Sequence, residues 1–241
     1  MTESLSDEIK ERISENIKQI RENIASAAIK SGRKPEDIKL LAVTKTVEPL
    51  RINYAMEKCG IKLIGENRVQ ELLSKSEHLK LNGIETHLIG HLQTNKVKKT
   101  VPRVTMIQSV DSVRLAKEIS RVCETLNLTM NILLEINIGN EASKTGFKTE
   151  ELDESLHEMA SLGNISVRGL MCVPPICESP EEISKYFENM SRYFVDIRAK
   201  KYDNVFMEVL SMGMSDDYVY AIENGSNLVR IGSAIFGARI Y

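Results

Sequence analysis

The chain has 241 residues, 42% of them hydrophobic, and its 32 basic and 34 acidic side chains leave a net charge of −2. That length suits a sizeable α/β core, and the near-neutral balance excludes an electrostatic drive toward nucleic acid. No apolar run approaches the length of a membrane span, and charges throughout the first thirty residues argue against a signal peptide, so the expected location is the cytoplasm.

In chain order, residues 6–31 read as a helix, with Ile9, Ile13, Ile17, Ile20, Ile24 and Ala28 forming one apolar stripe and Gly32 with Pro35 ending it. Alternation follows. A strand over 38–43 precedes a helix over 49–58, in which Leu50, Ile52, Tyr54 and Met56 are candidates for burial. A short strand over 61–64 leads to Gly65-Glu66-Asn67, and Asn67 with Gln70 has the pattern of a capping box opening the next helix. Strands are predicted at 87–89, 104–110, 131–138, 165–173, 205–210 and 228–231. Helical sequence lies between them, with Thr149, Ser179 and Ser215 as candidate caps. Eight strands, each followed by helical sequence, predict a single (β/α)8 barrel over residues 1–241, with an extra N-terminal helix within 1–36 packed on it. A doubly wound open sheet shows the same alternation. Cys59, Cys123, Cys172 and Cys177 have neither Cys-x-x-Cys spacing nor a nearby histidine, so they read as reduced thiols and no metal site is expected.

In such barrels the chemistry gathers at the carboxyl ends of the strands. The first strand runs straight into Lys45. A lysine there is either the first solvated residue after the strand or, in a buried site, an amine nucleophile able to form a Schiff base. On that heptad alone the solvated reading is the plainer one. The last two strand ends change the balance, because loops seven and eight are where barrels commonly seat phosphate. Ser211 and Ser233 supply hydroxyls there, and Gly213 and Gly232 let backbone approach an anion, although each glycine alone reads equally as turn chemistry. A phosphate seat beside a strand-end lysine suggests pyridoxal phosphate. Arg230, at the end of the eighth strand, then either donates to the pyridine nitrogen, which disfavours protonation there, or makes a salt bridge at the rim. Asp216 and Asp217 read as counterparts of a helix dipole.

At these residues the chain resembles a known family, the pyridoxal-phosphate homeostasis proteins of the YggS/PROSC group. The resemblance is carried by LAVTKT at 41–46, GENRVQE at 65–71, HLIGHLQTNK at 87–96, SKTGF at 143–147, GLM at 169–171, LSMGMSDD at 210–217 and VRIGSAIFG at 229–237. It implies a barrel like the N-terminal domain of alanine racemase, with Lys45 as the Schiff-base lysine. It also implies phosphate contacts from Ser211, Gly213, Gly232 and Ser233, Arg230 at the ring nitrogen, and Asn67 and Met212 around the cofactor. Departures are small: Thr86, Ser233 and Asn227 stand where tryptophan, threonine and threonine are common.

A two-base racemase needs a second acid or base, which in the racemases comes from a tyrosine in a further β domain. The sequence ends at Tyr241 soon after the eighth strand, and His91 near the strand ends reads equally as a titrating group and as a structural hydrogen-bonder. The reading is therefore a monomeric carrier with no catalytic residue, which buffers pyridoxal phosphate and hands it to apo-enzymes that depend on it. A small pyridoxal-phosphate-dependent amino-acid racemase is the alternative. A barrel that binds another phosphate, with Lys45 as a counterion, is the third reading.

Overall fold

The computed structural model describes residues 5–237, and Tyr241 lies outside them. Eight parallel strands close into a barrel in sequence order, as predicted. They are β1 (Lys39–Val43), β2 (Leu63–Glu66), β3 (Glu85–Leu88), β4 (Met106–Val110), β5 (Met130–Ile136), β6 (Ile165–Cys172), β7 (Val205–Ser211) and β8 (Leu228–Ile231). The ring is completed by β8 against β1, with Leu41 opposite Arg230. Around it lie α2 (Pro49–Lys58), α3 (Val69–Ser76), α4 (Val97–Thr100), α5 (Val113–Thr125), α6 (Leu152–Ala160), α7 (Pro180–Lys200), α8 (Tyr218–Glu223) and the single turn α9 (Ser233–Phe236).

The N-terminal helix α1 (Asp7–Lys30) forms because every favourable local term agrees. Ser6 caps it by accepting from the Ile9 amide, Asp7 and Glu8 lie in its first turn, and Lys30 lies in its last. It closes with a paired Schellman arrangement, Gly32 N–H to Ile29 and Arg33 N–H to Ala28. Ile13, Ile17, Ile20 and Ile24 are buried, each worth about 2 kcal/mol. That face covers α2, α8 and α9. Asn16 Nδ2 also donates to the Ile235 carbonyl at 3.0 Å and Asn23 Nδ2 to the Tyr218 hydroxyl at 2.9 Å, so α1 braces the two helices that follow β7 and β8.

Several local expectations differ from the structure. The second strand runs two residues later than predicted, because Ile61 N–H closes α2 on the Ala55 carbonyl while Gly65 and Glu66 stay in the ladder with Val43 and Leu88. The third begins earlier, at Glu85, to pair with Leu63. In α2 the buried residues are Ile52, Ala55 and Met56, whereas Leu50 is exposed. Asn67 forms no capping box: α3 starts at Val69 with Arg68 in the cap position. The Thr149 hydroxyl donates to Glu150 rather than accepting from a helix amide, Ser179 caps as expected by accepting from the Glu182 amide, and Ser112 caps α5 by accepting from the Leu115 amide. All four cysteines are free.

Side chains alternate along the strands between the barrel lumen and the helix layer. Leu41, Val43, Leu63 and Leu228 fill one part of the lumen, and Met106, Leu133 and Met171 another. The larger apolar clusters lie between barrel and helices. Polar lumen positions therefore stand out, and they lead to the site.

Candidate cofactor site at the carboxyl ends of the strands

Lys45, Arg230, Gly232 and Ser233 line one cleft of about 340 Å³ at the carboxyl ends of β1 and β8. Its size falls within the range of small-ligand sites. Ser215, predicted as a helix cap, is not one: α8 starts at Tyr218 with Asp217 in the cap position. The Ser215 hydroxyl instead turns to the next loop, 3.1 Å from the Ser233 hydroxyl and 3.4 Å from the Ala234 amide. The two serines thus meet at the start of α9. Gly232 lies close against β1, where a Cβ would sit 3.2 Å from Val43 Cβ and 3.3 Å from its carbonyl.

Arg230 enters from β8 and is almost wholly buried. Its Nη1 donates to the Ser211 hydroxyl at 2.7 Å and its Nη2 to the Cys172 carbonyl at 2.8 Å. The Ser211 hydroxyl donates to Gln108 Oε1 at 2.7 Å, and Gln108 Nε2 lies 2.8 Å from His87 Nδ1. An arginine has no acceptor, so every member of the row has its role fixed. Ser211 accepts from Arg230 and gives to Gln108, and Gln108 gives its N–H to His87. Burial lowers the His87 pKa, which keeps its ring neutral with Nδ1 as acceptor. Burial also lowers the Arg230 pKa, opposed by Cys172, Asp217 and Glu135. Arg230 thus spends one of its five N–H groups on this row and one on the Cys172 carbonyl.

Glu135, from β5, faces the same end of the barrel. Burial, reinforced by Asp111 and opposed by Arg230 and His91, pushes its carboxyl up to about 7. His91 Nδ1 lies 2.9 Å from Asp111 Oδ2 at the ends of β3 and β4, more than half exposed. Cys172 is pushed up to about 12 by burial, so it is an inert thiol.

Four predicted residues lie away from the cleft lining. Ser211 points into the lumen, with its hydroxyl bonded to Gln108 and Arg230. Met212 points the other way, fully buried in the outer apolar cluster. Gly213 has φ +94°, and a Cβ there would meet Ala221 Cβ at 2.6 Å and Tyr218 Cα at 2.9 Å, so its missing side chain serves the packing of α8. Asn67 stands between β2 and α3, and its buried Oδ1 finds no partner among the described residues. Sequence reading missed Gln108, Glu135 and the Ser215 hydroxyl contact. The signal for Gln108 was a polar residue inside a strand that is buried throughout.

The residues present fit pyridoxal phosphate. The cleft offers one amine, two hydroxyls beside a glycine that admits close approach, and a buried guanidinium held from behind.

Comparison with known proteins agrees with this fold and ligand class. Residues 15–240 match the family model of the alanine racemase N-terminal domain. The pyridoxal phosphate homeostasis protein of Aquifex aeolicus is 42% identical over 227 residues, covering 94% of this chain and 98% of that one. Its Escherichia coli K12 counterpart is 39% identical over 233 residues, covering 95% and 97%. The structure of PipY from Synechococcus elongatus PCC7942 with PLP bound superposes with a TM-score of 0.81 at 28% identity, over 93% of this chain and 100% of that one. An alanine racemase of Clostridium difficile 630 shares the fold, with a TM-score of 0.69 at 17% identity over 94% of this chain and 60% of that one. The chain belongs to the family of pyridoxal phosphate homeostasis proteins, which carry the fold of the alanine racemase N-terminal domain.

Proposed function

We propose that the chain binds pyridoxal phosphate through a Schiff base on Lys45, holds it as a buffered reserve, and gives it up to apo-enzymes that need it. The observation that carries this reading is the meeting of Lys45, Arg230 and the Ser215–Ser233 pair on one cleft. PipY, a relative over almost the whole chain, has PLP bound, which supports the choice of ligand. When bound, the cofactor supplies an aldehyde that an amine captures with loss of water. Lys45 supplies that amine. Ser215, Ser233 and the Gly232 backbone seat the phosphate. Arg230, which cannot give up its proton, donates to the ring nitrogen and keeps protons off it. That weakens the ring as an electron sink and favours holding over carbanion chemistry.

A second reading, a one-base amino-acid racemase, is favoured by Glu135, a carboxyl near neutrality that faces the same end as Arg230. One sample tests both. The absorbance spectrum of protein with pyridoxal phosphate, before and after borohydride, is expected to show a Schiff-base band that reduction fixes on the Lys45 peptide. Lys45→Ala is expected to show neither. The same band in the variant would overturn the assignment. Interconversion of D- and L-alanine by the loaded protein would favour the racemase.

A further inference from the structure

Behind Lys45 lies a buried ionic cluster that the cofactor reading leaves unused. After β1 the chain turns through Thr44, Lys45, Thr46 and Val47, closed by the Val47 amide on the Thr44 carbonyl at 3.0 Å. Thr46 sits at φ +62°, a left-handed conformation that β-branched residues rarely adopt. Such strain persists where surrounding contacts over-determine it. Here they converge from α3 and β2. The Thr46 amide donates to Glu71 Oε2 at 2.7 Å, and the Thr44 hydroxyl to Glu66 Oε1 at 2.6 Å. The Lys75 ammonium spends its three donors on the Thr44 carbonyl at 2.8 Å, Glu66 Oε1 at 2.9 Å and Glu71 Oε2 at 2.9 Å. The Lys75 side chain is 11% exposed and that of Glu66 1%. The second oxygen of Glu66 is buried without a partner among the described residues, so the carboxylate is aimed by Thr44 and Lys75 alone.

Buried ion clusters are weak devices for stability, because desolvation offsets most of their attraction, but they hold geometry well. This one grips the residues on either side of Lys45. We propose that Lys75, Glu66 and Glu71 are positioning residues: they clasp the strained turn that presents Lys45, and so set how fast its amine captures and releases an aldehyde ligand. The part concerning ligand rates rests on the pyridoxal phosphate reading above.

The test uses the full chain with Thr46→Gly, Glu71→Gln and both together, and two readouts. The first is hydrogen exchange at the residue-46 amide without cofactor. The second is the rate at which the absorbance band forms and decays with pyridoxal phosphate. In Glu71→Gln, exchange at the residue-46 amide is expected to rise, and release of the ligand to quicken about tenfold. Thr46→Gly is expected to raise the thermal midpoint of the cofactor-free protein by relieving strain, while also quickening release. The double variant is expected to fall short of the product of the two effects. Unchanged exchange in Glu71→Gln overturns the clasp, whatever the protein binds. Faster exchange with wild-type ligand rates in both single variants overturns its role toward Lys45. A wild type that forms no borohydride-trapped adduct overturns the cofactor reading instead, and exchange still decides the clasp.

Discussion

The ends of β7 and β8 each bring a serine and a glycine together, Ser211-Met212-Gly213 and Gly232-Ser233, and the fold uses the two pairs for different purposes. The β8 loop faces the cleft: Ser233 joins Ser215 there, and Gly232 keeps the backbone low against Val43. The Ser211–Gly213 stretch turns away from it, and the same loop returns to the cleft only at Met214, Ser215 and Asp216. Ser211 steadies Arg230 inside the barrel, and Gly213 makes room for α8. A glycine without a Cβ can admit a ligand or admit a helix, and the neighbouring atoms decide which.

Substitutions break this contrast in order of size. Gly213→Ala meets backbone, cannot shift it, and must keep φ +94°, so a loss of about 3 kcal/mol is expected, read as a lower thermal midpoint without cofactor. Ser211→Ala leaves Arg230 and Gln108 each short of a buried partner and is expected to cost about 2 kcal/mol, together with weaker pyridoxal phosphate binding in a titration. Gly232→Ala is expected to cost only about 1 kcal/mol, since φ is −121° and Val43 must give by a few tenths of an ångström. Its larger effect is on binding, about tenfold by titration, because the new methyl fills the seat.

Glu135, outside the cleft lining but electrostatically coupled to Arg230, sharpens the contrast through pH. Glu135 titrates at about 7 in the folded protein against an ordinary 4.5, so between those values the folded state holds a proton that the unfolded chain has lost. The stability it contributes is complete below 4.5 and is lost as pH rises to about 7. Glu135→Gln is therefore expected to stabilise the cofactor-free protein by about 2 kcal/mol at alkaline pH and hardly at all in acid, measured as thermal midpoint against pH.

The barrel was legible because its signal is periodic. Apolar runs alternate with helical stripes, and the barrel closes in the order of the chain. Strand ends were less legible, since pairing partners set them: Glu85 belongs to β3 only because Leu63 stands opposite. In the site, Lys45, Arg230, Gly232 and Ser233 followed from one rule about strand ends. Ser211, Met212 and Gly213 meet different surroundings because consecutive residues leaving a strand face opposite sides. Lys75 was hidden for another reason. It reads as a surface lysine of an amphipathic helix, and only the packing of α3 under the β1 turn shows that its ammonium is buried.

The row from Arg230 to His87 has a consequence for acid tolerance. Its bonds run one way because the arginine can only give and the imidazole, while neutral, can receive. A proton on His87 turns Nδ1 into a second donor against Gln108 Nε2. The amide must then rotate, present its N–H to Ser211, and leave that hydroxyl with two donors and no taker. Acidification thus acts on the cleft from a distance: a charge gained on β3 unsettles the arginine on β8, although His87 itself is not among the residues that line the cleft.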